Sequence, residues 1–409
     1  MEQEALKDLF QHEFSKIVAV ISKLFGLEHI ETAEDIVSET FLLALEDWKV
    51  KGVPPNPAAW LYTVAKRKTL YHLRRNKILE NKVIPALSLQ EKISTGFAGP
   101  DFSAANIKDS QLQMLFAICN PAIASEAQIG LALRILCGFG IDEIAEAFLS
   151  NKETINKRLF RAKERLRMEH VKMELPPPKE IEARLDNVLH IIYLLFNEGY
   201  YSKTKNQILR KGLCLDAVRL GVMLSGYDKT NRPKTNALLA LMCFHASRFA
   251  SRQAEDNSFI RFEQQNTGLW DAALIKHGFN YLSLSAEGGE ISSYHLEARI
   301  AGLHSIKEDT LEKWENILNL YNQLLLINYS PGVALNRTFA LYKARGQNVA
   351  LTEAEKLKLE GNHFYHILLG ELYQNIDNQK AIFHLQKAHS LARTDTEKQI
   401  LLVKIYSIQ

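Results

Sequence analysis

Residues 138–167 have the sequence GFGIDEIAEAFLSNKETINKRLFRAKERLR, and this stretch decides the class of fold. In its second half, four apolar residues at i, i+4, i+7 and i+11 form a stripe along one face of a helix: Ile155, Leu159, Ala162 and Leu166. A second set with the same spacing lies on another face and carries hydrogen-bond donors: Thr154, Arg158, Arg161 and Arg165. A shorter helix is expected from about Asp142 to Phe148, with Asp142 as its N-cap. The pattern predicts two helices joined by a tight turn.

The two stripes together indicate a nucleic-acid partner. A helix can lie in the major groove of DNA when one side packs on the protein and the other offers guanidinium groups to phosphates and base edges. We therefore predict a helix-turn-helix whose second helix contacts duplex DNA through six residues: Thr154, Asn156, Lys157, Arg158, Arg161 and Arg165. The alternative is an arginine-rich amphipathic helix that faces only solvent.

The distribution of charge supports contact with a polyanion. The chain has 409 residues, 46% of them hydrophobic, which is enough for two or three globular domains. Its net charge of +3 is too small to indicate nucleic acid by itself. However, residues 66–82 carry seven Lys or Arg against one Glu, and residues 152–172 carry eight against three. Residues 1–47, in contrast, carry eleven acidic and three basic side chains. Two basic segments therefore predict two local contacts with a polyanion.

Several functional classes are disfavoured by the sequence. The four cysteines are widely spaced, without a CxxC pair, which argues against a zinc site and against a disulfide framework. The thirteen histidines show no metal-ligand spacing, and no glycine-rich phosphate loop stands out. No segment approaches the roughly 18 apolar residues of a membrane span. We expect a soluble cytoplasmic protein that is not an enzyme and has no metal or other cofactor.

The periodicity and composition predict an all-α chain of three regions. Helical periods recur throughout, while alternating strand patterns between turns are scarce. We expect a helical domain at residues 1–82, a linker at 83–108 that contains Gly, Pro and Ser, and a second helical domain at 109–175. A run of helix pairs is expected at residues 180–409, after three consecutive prolines.

The end of this last region resembles a tetratricopeptide repeat. Leu369, Gly370 and Tyr373 are expected on one helix, and Ala381 and Ala388 on the next. Small residues at such positions let paired helices approach closely. We therefore predict an α-solenoid, without a repeat count.

An acidic stripe is predicted on a helix within residues 33–48. One face is apolar and is expected to be buried: Val37, Phe41, Ala44 and Trp48. The next face is acidic with one exposed leucine: Asp35, Glu39, Leu42 and Glu46. Acidic side chains around an apolar contact suit docking to a basic protein surface. The alternative is an ordinary solvated helix face.

A basic stripe with aromatic residues is predicted at residues 56–77. The basic side chains include Lys66, Arg67, Arg74 and Arg75, and the aromatic ones are Trp60, Tyr62 and Tyr71. This mixture can bind phosphates and unstacked bases. The alternative places Trp60 or Tyr71 in the core.

These segments, in this order, resemble a bacterial extracytoplasmic-function sigma factor. The resemblance implies that residues 33–41 are the region-two helix that binds the clamp helices of RNA polymerase. It implies that residues 60–75 face the −10 element and that residues 141–167 bind the −35 element.

Further motifs at residues 52–61, 120–128, 193–200 and 330–337 resemble the subgroup with a C-terminal tetratricopeptide-like extension. This resemblance implies a sigma factor that directs core RNA polymerase to specific promoters, and an extension that controls its activity in place of a separate anti-sigma protein. The implied partners are core polymerase, duplex promoter DNA, the melted −10 strand and a protein regulator on the extension. The alternative is a helix-turn-helix regulator with a solenoid sensor domain that is not a sigma factor. That alternative leaves the stripes of residues 33–77 without a role.

Overall fold

A computed structural model describes the chain at residues 2–83, 99–148, 150–200, 211–252, 260, 262–392 and 395–408. Within these residues every regular element is helical, with nineteen α-helices and a few short 3-10 or π turns. The all-α prediction is therefore confirmed. The chain forms two compact units, Met1–Leu195 and Phe196–Gln409. None of the helices in the described part of the chain is long and apolar enough to cross a membrane.

The first unit contains the helices that carry the predicted stripes. They are α1 (Glu2–Phe25), α2 (Ile30–Lys51), α3 (Pro57–Val83), α4 (Ala104–Ile118), α5 (Ser125–Leu131), α6 (Ile141–Ala147), α7 (Lys152–Met168) and the first part of α8 (Ile181–Tyr200). Helix α1 packs against α2, α3 and α4. The predicted apolar stripe of α2 is buried in this packing, at Val37, Phe41, Ala44 and Trp48.

Helix α4 packs on α1 and thereby brings together the two segments that we expected to form separate helical domains. It begins at Ala104, inside the expected linker at 83–108, and the Ser103 side chain caps it by accepting a hydrogen bond from the Asn106 amide. Residues 84–98 of that linker lie outside the described residues. Buried Gln111 donates from its amide to Ser15 of α1 (3.1 Å). The segments at 1–82 and 109–175 therefore pack within one compact unit.

A π turn follows α5 directly at Ala132–Leu136. It is closed by the Cys137 amide, which donates to the Ala132 carbonyl oxygen over 3.1 Å, five residues back. Such turns often lie at functional positions because they change the direction of the side chains that follow. Here the turn carries Arg134, the cation of a partly buried ion pair described below.

Helices α6 and α7 form the predicted helical pair. Helix α6 begins at Ile141, so Asp142 lies in its first turn and is not the N-cap that we expected. Helix α7 is capped by Asn151, whose side chain accepts a hydrogen bond from the Thr154 amide (2.8 Å). The stripe of α7 is buried as predicted, at Ile155, Leu159, Ala162 and Leu166. Leu159 packs over Gly130 of α5, where a Cβ would lie 3.0 Å from its Cδ2.

The first half of α8 belongs to this unit and is held by side-chain hydrogen bonds. Arg184 donates from Nη2 to the Phe116 carbonyl oxygen (2.6 Å). Asn187 donates from Nδ2 to the Cys119 carbonyl oxygen (2.6 Å) and to Oε1 of Gln128 (2.8 Å). The bonds to Phe116 and Cys119 satisfy carbonyl groups at the end of α4, where the helix leaves carbonyl groups without a partner.

The second unit is a succession of helices that pack on their neighbours. They are α9 (Lys211–Ser225), α10 (Pro233–Ala246), α11 (Phe249–Arg252), α12 (Ala272–Ser285), α13 (Ser293–His304), α14 (Leu311–Ile327), α15 (Pro331–Arg345), α16 (Gln347–Lys356), α17 (His363–Tyr373), α18 (Asn378–Leu391) and α19 (Asp395–Tyr406). From α12 onward each helix contacts the next one. Helices α17 and α18 approach closely at Gly370, where a Cβ would lie 2.7 Å from Cγ of Leu385.

Candidate nucleic-acid interface

The outer face of α7 presents five of its six predicted DNA-binding residues to solvent. They are Thr154, Asn156, Lys157, Arg161 and Arg165. Arg158, the sixth, is half-buried, and its guanidinium lies over the Phe148 ring at 5.5 Å from the ring centre. The sequence pattern therefore identified the exposed face, because the buried stripe fixes how the helix is turned.

The exposed cations of α7 differ in their partners. Arg165 pairs with Glu169, the C-cap residue of α7 (2.8 Å). In the described part of the chain, the side chains of Lys157 and Arg161 make no ion pair or hydrogen bond. Phe160 lies beside them and is 61% exposed, although sequence analysis did not select it. The sequence could have indicated that Phe160 is exposed, because it lies off the apolar stripe and close to basic residues.

The inner side of α7 carries cations that face α2, and sequence analysis missed them. Lys163 pairs with Oε2 of Glu34 (2.5 Å), and Arg134 of the π turn pairs with Oε1 of the same carboxylate (3.1 Å). Glu34 is only 7% exposed. Nearer the end of α7, Arg167 pairs with Glu31 (2.7 Å) at the surface. The basic helix is therefore divided into an outer face with few partners and an inner face that binds α2.

The acidic stripe of α2 is exposed as predicted. Asp35, Glu39, Leu42 and Glu46 all lie at the surface. Leu42 is 59% exposed, and two leucines that the stripe did not include, Leu43 and Leu45, are exposed as well. The apolar part of this surface is therefore larger than the sequence pattern indicated.

The basic stripe of α3 belongs to the same group of packed helices, which consists of α1, α2 and α3. Lys66, Arg67, Arg74 and Arg75 are exposed. Trp60 is half-buried and packs edge-on against the core residue Trp48, with ring centres 5.3 Å apart. Tyr71 is 68% exposed. Of the two rings that could have belonged to the core, Trp60 is therefore the one that packs against it.

Tyr62 of α3 lies between two groups that fix its ring. Its hydroxyl donates to Glu13 of α1 (2.5 Å), and burial together with this carboxylate raises the pKa of Tyr62. Its ring stacks on Phe102, with ring centres 4.9 Å apart and planes 5° from parallel. Phe102 immediately precedes Ser103, the N-cap of α4.

The helices that carry the acidic and basic surfaces match a known protein family. Residues 9–78, which span most of α1 to α3, match sigma-70 region 2. The chain carries sigma-70 region 2. Residues 184–286 match a second family, described as a family of unknown function (DUF6596).

One relative resembles the chain over most of its length. It is an uncharacterized protein of Rhizobium meliloti (strain 1021), 31% identical over 352 residues, which cover 85% of this chain and 83% of the relative. The two proteins belong to one family. No solved structure matches the chain. Helices α6 and α7 lie outside both matched segments.

Proposed function

We propose that this protein is a sigma factor of the extracytoplasmic-function type, which directs core RNA polymerase to specific promoters and initiates transcription there. The observation that carries the proposal is the region 2 match, because it covers both the acidic surface of α2 and the basic surface of α3. The outer face of α7 supports it as a second DNA contact.

The surface of α2 is the proposed site for core polymerase. An exposed apolar centre excludes water, and a carboxylate rim steers and orients a basic partner. Leu42, with Leu43 and Leu45 beside it, supplies the centre, and Asp35 and Glu46 belong to the rim.

The two basic helices are the proposed DNA contacts, with different tasks. Helix α7 would lie in the major groove of the −35 element with its outer face toward the bases. Helix α3 would hold the melted −10 strand through phosphate contacts from its exposed cations: Lys66, Arg67, Arg74 and Arg75. Melting needs no covalent chemistry, since capture of a flipped base offsets unstacking, which costs a few kcal/mol.

A reconstitution experiment tests the proposed function. The purified protein is mixed with bacterial core RNA polymerase, and co-elution on gel filtration is scored together with run-off transcription from the promoter of its own operon. We expect stable co-elution and transcripts that require the protein. DNA binding without association with core polymerase would contradict the proposal and favour a helix-turn-helix regulator with a solenoid sensor.

Leu42→Asp is expected to weaken binding to core polymerase by about 2 kcal/mol, roughly thirtyfold, because it places a charge at the centre of the docking surface. The measurement is a titration of labelled protein with core polymerase. Leu326→Asp is the matched control, since Leu326 of α14 is 89% exposed and lies in the second unit. Equal losses in both variants would show that the added charge, and not the α2 surface, is responsible.

We also propose that the C-terminal helices form a tetratricopeptide-like extension that controls this activity, through a protein regulator bound to it. Two observations support the proposal. From α12 to α19 the helices pack in succession, as in solenoids that offer an extended surface to a partner. The small residues Ala381 and Ala388 are buried in α18.

Removal of the extension is expected to change transcription without abolishing promoter binding. The cut belongs after Tyr200, because a cut after Pro178 would also remove Arg184 and Asn187, which bind carbonyl groups at the end of α4 and the Gln128 side chain of α5. Run-off transcription by the shortened and full-length proteins is compared at equal core occupancy. Transcription identical in level and in response to conditions would refute a controlling role.

A further inference from the structure

Residues 99–102 lie along one stripe of α3, which consists of Tyr62, Lys66 and Leu70 at intervals of four residues. At Gly99 the backbone approaches this stripe closely. A Cβ there would lie 3.1 Å from Cε of Lys66 and 3.2 Å from Cδ2 of Leu70. Pro100, the next residue, is buried. The segment before α4 is therefore packed on the helix that we propose for the melted −10 strand.

Phe102 covers the Tyr62 ring in the geometry of a stacked base. The two rings are nearly parallel, 5° apart, with centres separated by 4.9 Å. Aromatic side chains that bind single-stranded nucleic acid stack on bases in this way, since every base has a π face. The Tyr62 ring is held in place by its hydroxyl, which donates to Glu13 (2.5 Å).

The neighbouring residue adds a negative charge. Asp101 lies in the electrostatic field of Lys66 and Lys23, and its carboxylate also accepts hydrogen bonds from the Ser103 amide and hydroxyl (2.9 Å each). Adjacent residues thus bring an aromatic ring to Tyr62 and a carboxylate toward Lys66. A nucleotide would offer the same pair of groups, a base and a phosphate.

We propose that Tyr62 is a stacking platform for an unpaired base of the melted strand, and that Phe102 occupies this platform until DNA displaces it. This inference rests on the proposed function, since it concerns the same helix, α3. It adds a base-binding residue and a competitor from the protein's own chain. The competing explanation is that Phe102 only anchors the start of α4, as an apolar residue before an N-cap often does.

The test compares binding of single-stranded DNA by the full chain and its variants. The probe is fluorescein-labelled oligo(dT) of about 12 nucleotides, a length within the range that such surfaces cover, read by anisotropy at one fixed salt concentration. We expect Phe102→Ala to raise the affinity about tenfold, since base stacking on an aromatic residue contributes about 1–3 kcal/mol. Phe383→Ala, the same change at a residue of α18 that is 57% exposed, is the control in the second unit and should leave the affinity unchanged.

Substitutions of Tyr62 distinguish base stacking on its ring from a purely anchoring role of Phe102. In the Phe102→Ala background, Tyr62→Phe should keep the gain, because the ring remains and only the hydrogen bond to Glu13 is lost. Tyr62→Leu should remove the gain. A Phe102→Ala affinity equal to or below that of the unmodified chain would overturn the proposal. So would failure of every variant to bind the probe, and co-elution with core polymerase would then show whether the proposed function itself still stands.

Discussion

Charge reversal at Arg161 is expected to weaken binding to promoter duplex by about 3 kcal/mol, roughly a hundredfold. Loss of one arginine contact to DNA costs about 1–3 kcal/mol, and the glutamate adds repulsion from nearby phosphates. Arg161 is exposed on the outer face of α7. Its side chain has no ion pair to break within the described residues, so its full charge is available to DNA.

The neighbouring arginines should respond differently. Arg165 must leave Glu169 before it can contact DNA, so its reversal should cost less affinity than that of Arg161. Reversal of Arg158 also removes a cation from the Phe148 ring, which can contribute about 0.5–2 kcal/mol. A loss of affinity in an Arg158→Glu variant would therefore mix DNA contact with the stability of the α6–α7 pair. Arg161 gives the cleaner measurement.

The measurement is fluorescence anisotropy with duplex DNA from the promoter of the protein's own operon, repeated at several salt concentrations. The slope of log affinity against log salt concentration should also decrease by about one, because one phosphate contact is lost. Lys276→Glu on exposed α12 produces the same change of net charge in the second unit, and it should leave the affinity nearly unchanged. Equal affinity of Arg161→Glu and the unmodified protein would remove α7 as a DNA contact. Co-elution with core polymerase should be the same for both.

The faces of single helices could be predicted from the sequence, because they depend on a local period. The stripe at Ile155 and Leu159 is buried, and the arginine at 161 is exposed, as the 3.6-residue spacing requires. The same holds for α2, where Val37 is buried and Leu42 is exposed. In each case burial of an apolar stripe fixes the rotation of the helix, and the positions of the polar side chains follow.

Contacts between distant segments could not be predicted in this way. Glu34 is separated from Arg134 by 100 residues and from Lys163 by 129 residues. The helical period places Lys163 beside the buried stripe of α7, but no pattern of spacing indicates that its partner is Glu34. The stacking of Phe102 on Tyr62 is of the same kind, since the segment around Phe102 has the composition of a linker. Such pairings depend on tertiary packing, and a single sequence does not encode them as a period.

The ion pairs of Glu34 also change the picture of how the first unit is organised. The sequence predicted two helical domains joined by a linker, whereas in the structure Lys163 of α7 and Arg134 of the π turn pair with Glu34 of α2 within one compact unit. The outer face of α7 and the acidic surface of α2 nevertheless remain exposed. Both proposed binding surfaces are therefore accessible to a partner, whereas the inner face of α7 is engaged in ion pairs with α2.

Glu34→Gln is expected to destabilise the contact between α7 and α2 by about 3–5 kcal/mol. The substitution keeps the size of the side chain but leaves the partly buried cations of Arg134 and Lys163 without their shared counter-charge. A buried charge that loses its partner retains its full desolvation penalty, and the two cations also repel each other. The effect should be local, because Glu34 touches none of the residues proposed for DNA binding.

Hydrogen exchange resolved to peptides measures this effect directly, since the two units of the chain need not unfold together. Amide protection in α7 should fall on the order of 10²–10³-fold in Glu34→Gln. Glu31→Gln is the matched control: it breaks the pair with Arg167, in which both side chains are about 40% exposed, and exposed pairs contribute about 1 kcal/mol or less. Equal loss of protection in the two variants would mean that burial of Glu34 has no special effect. Affinity for promoter duplex should stay unchanged in both, because the outer face of α7 keeps all its cations.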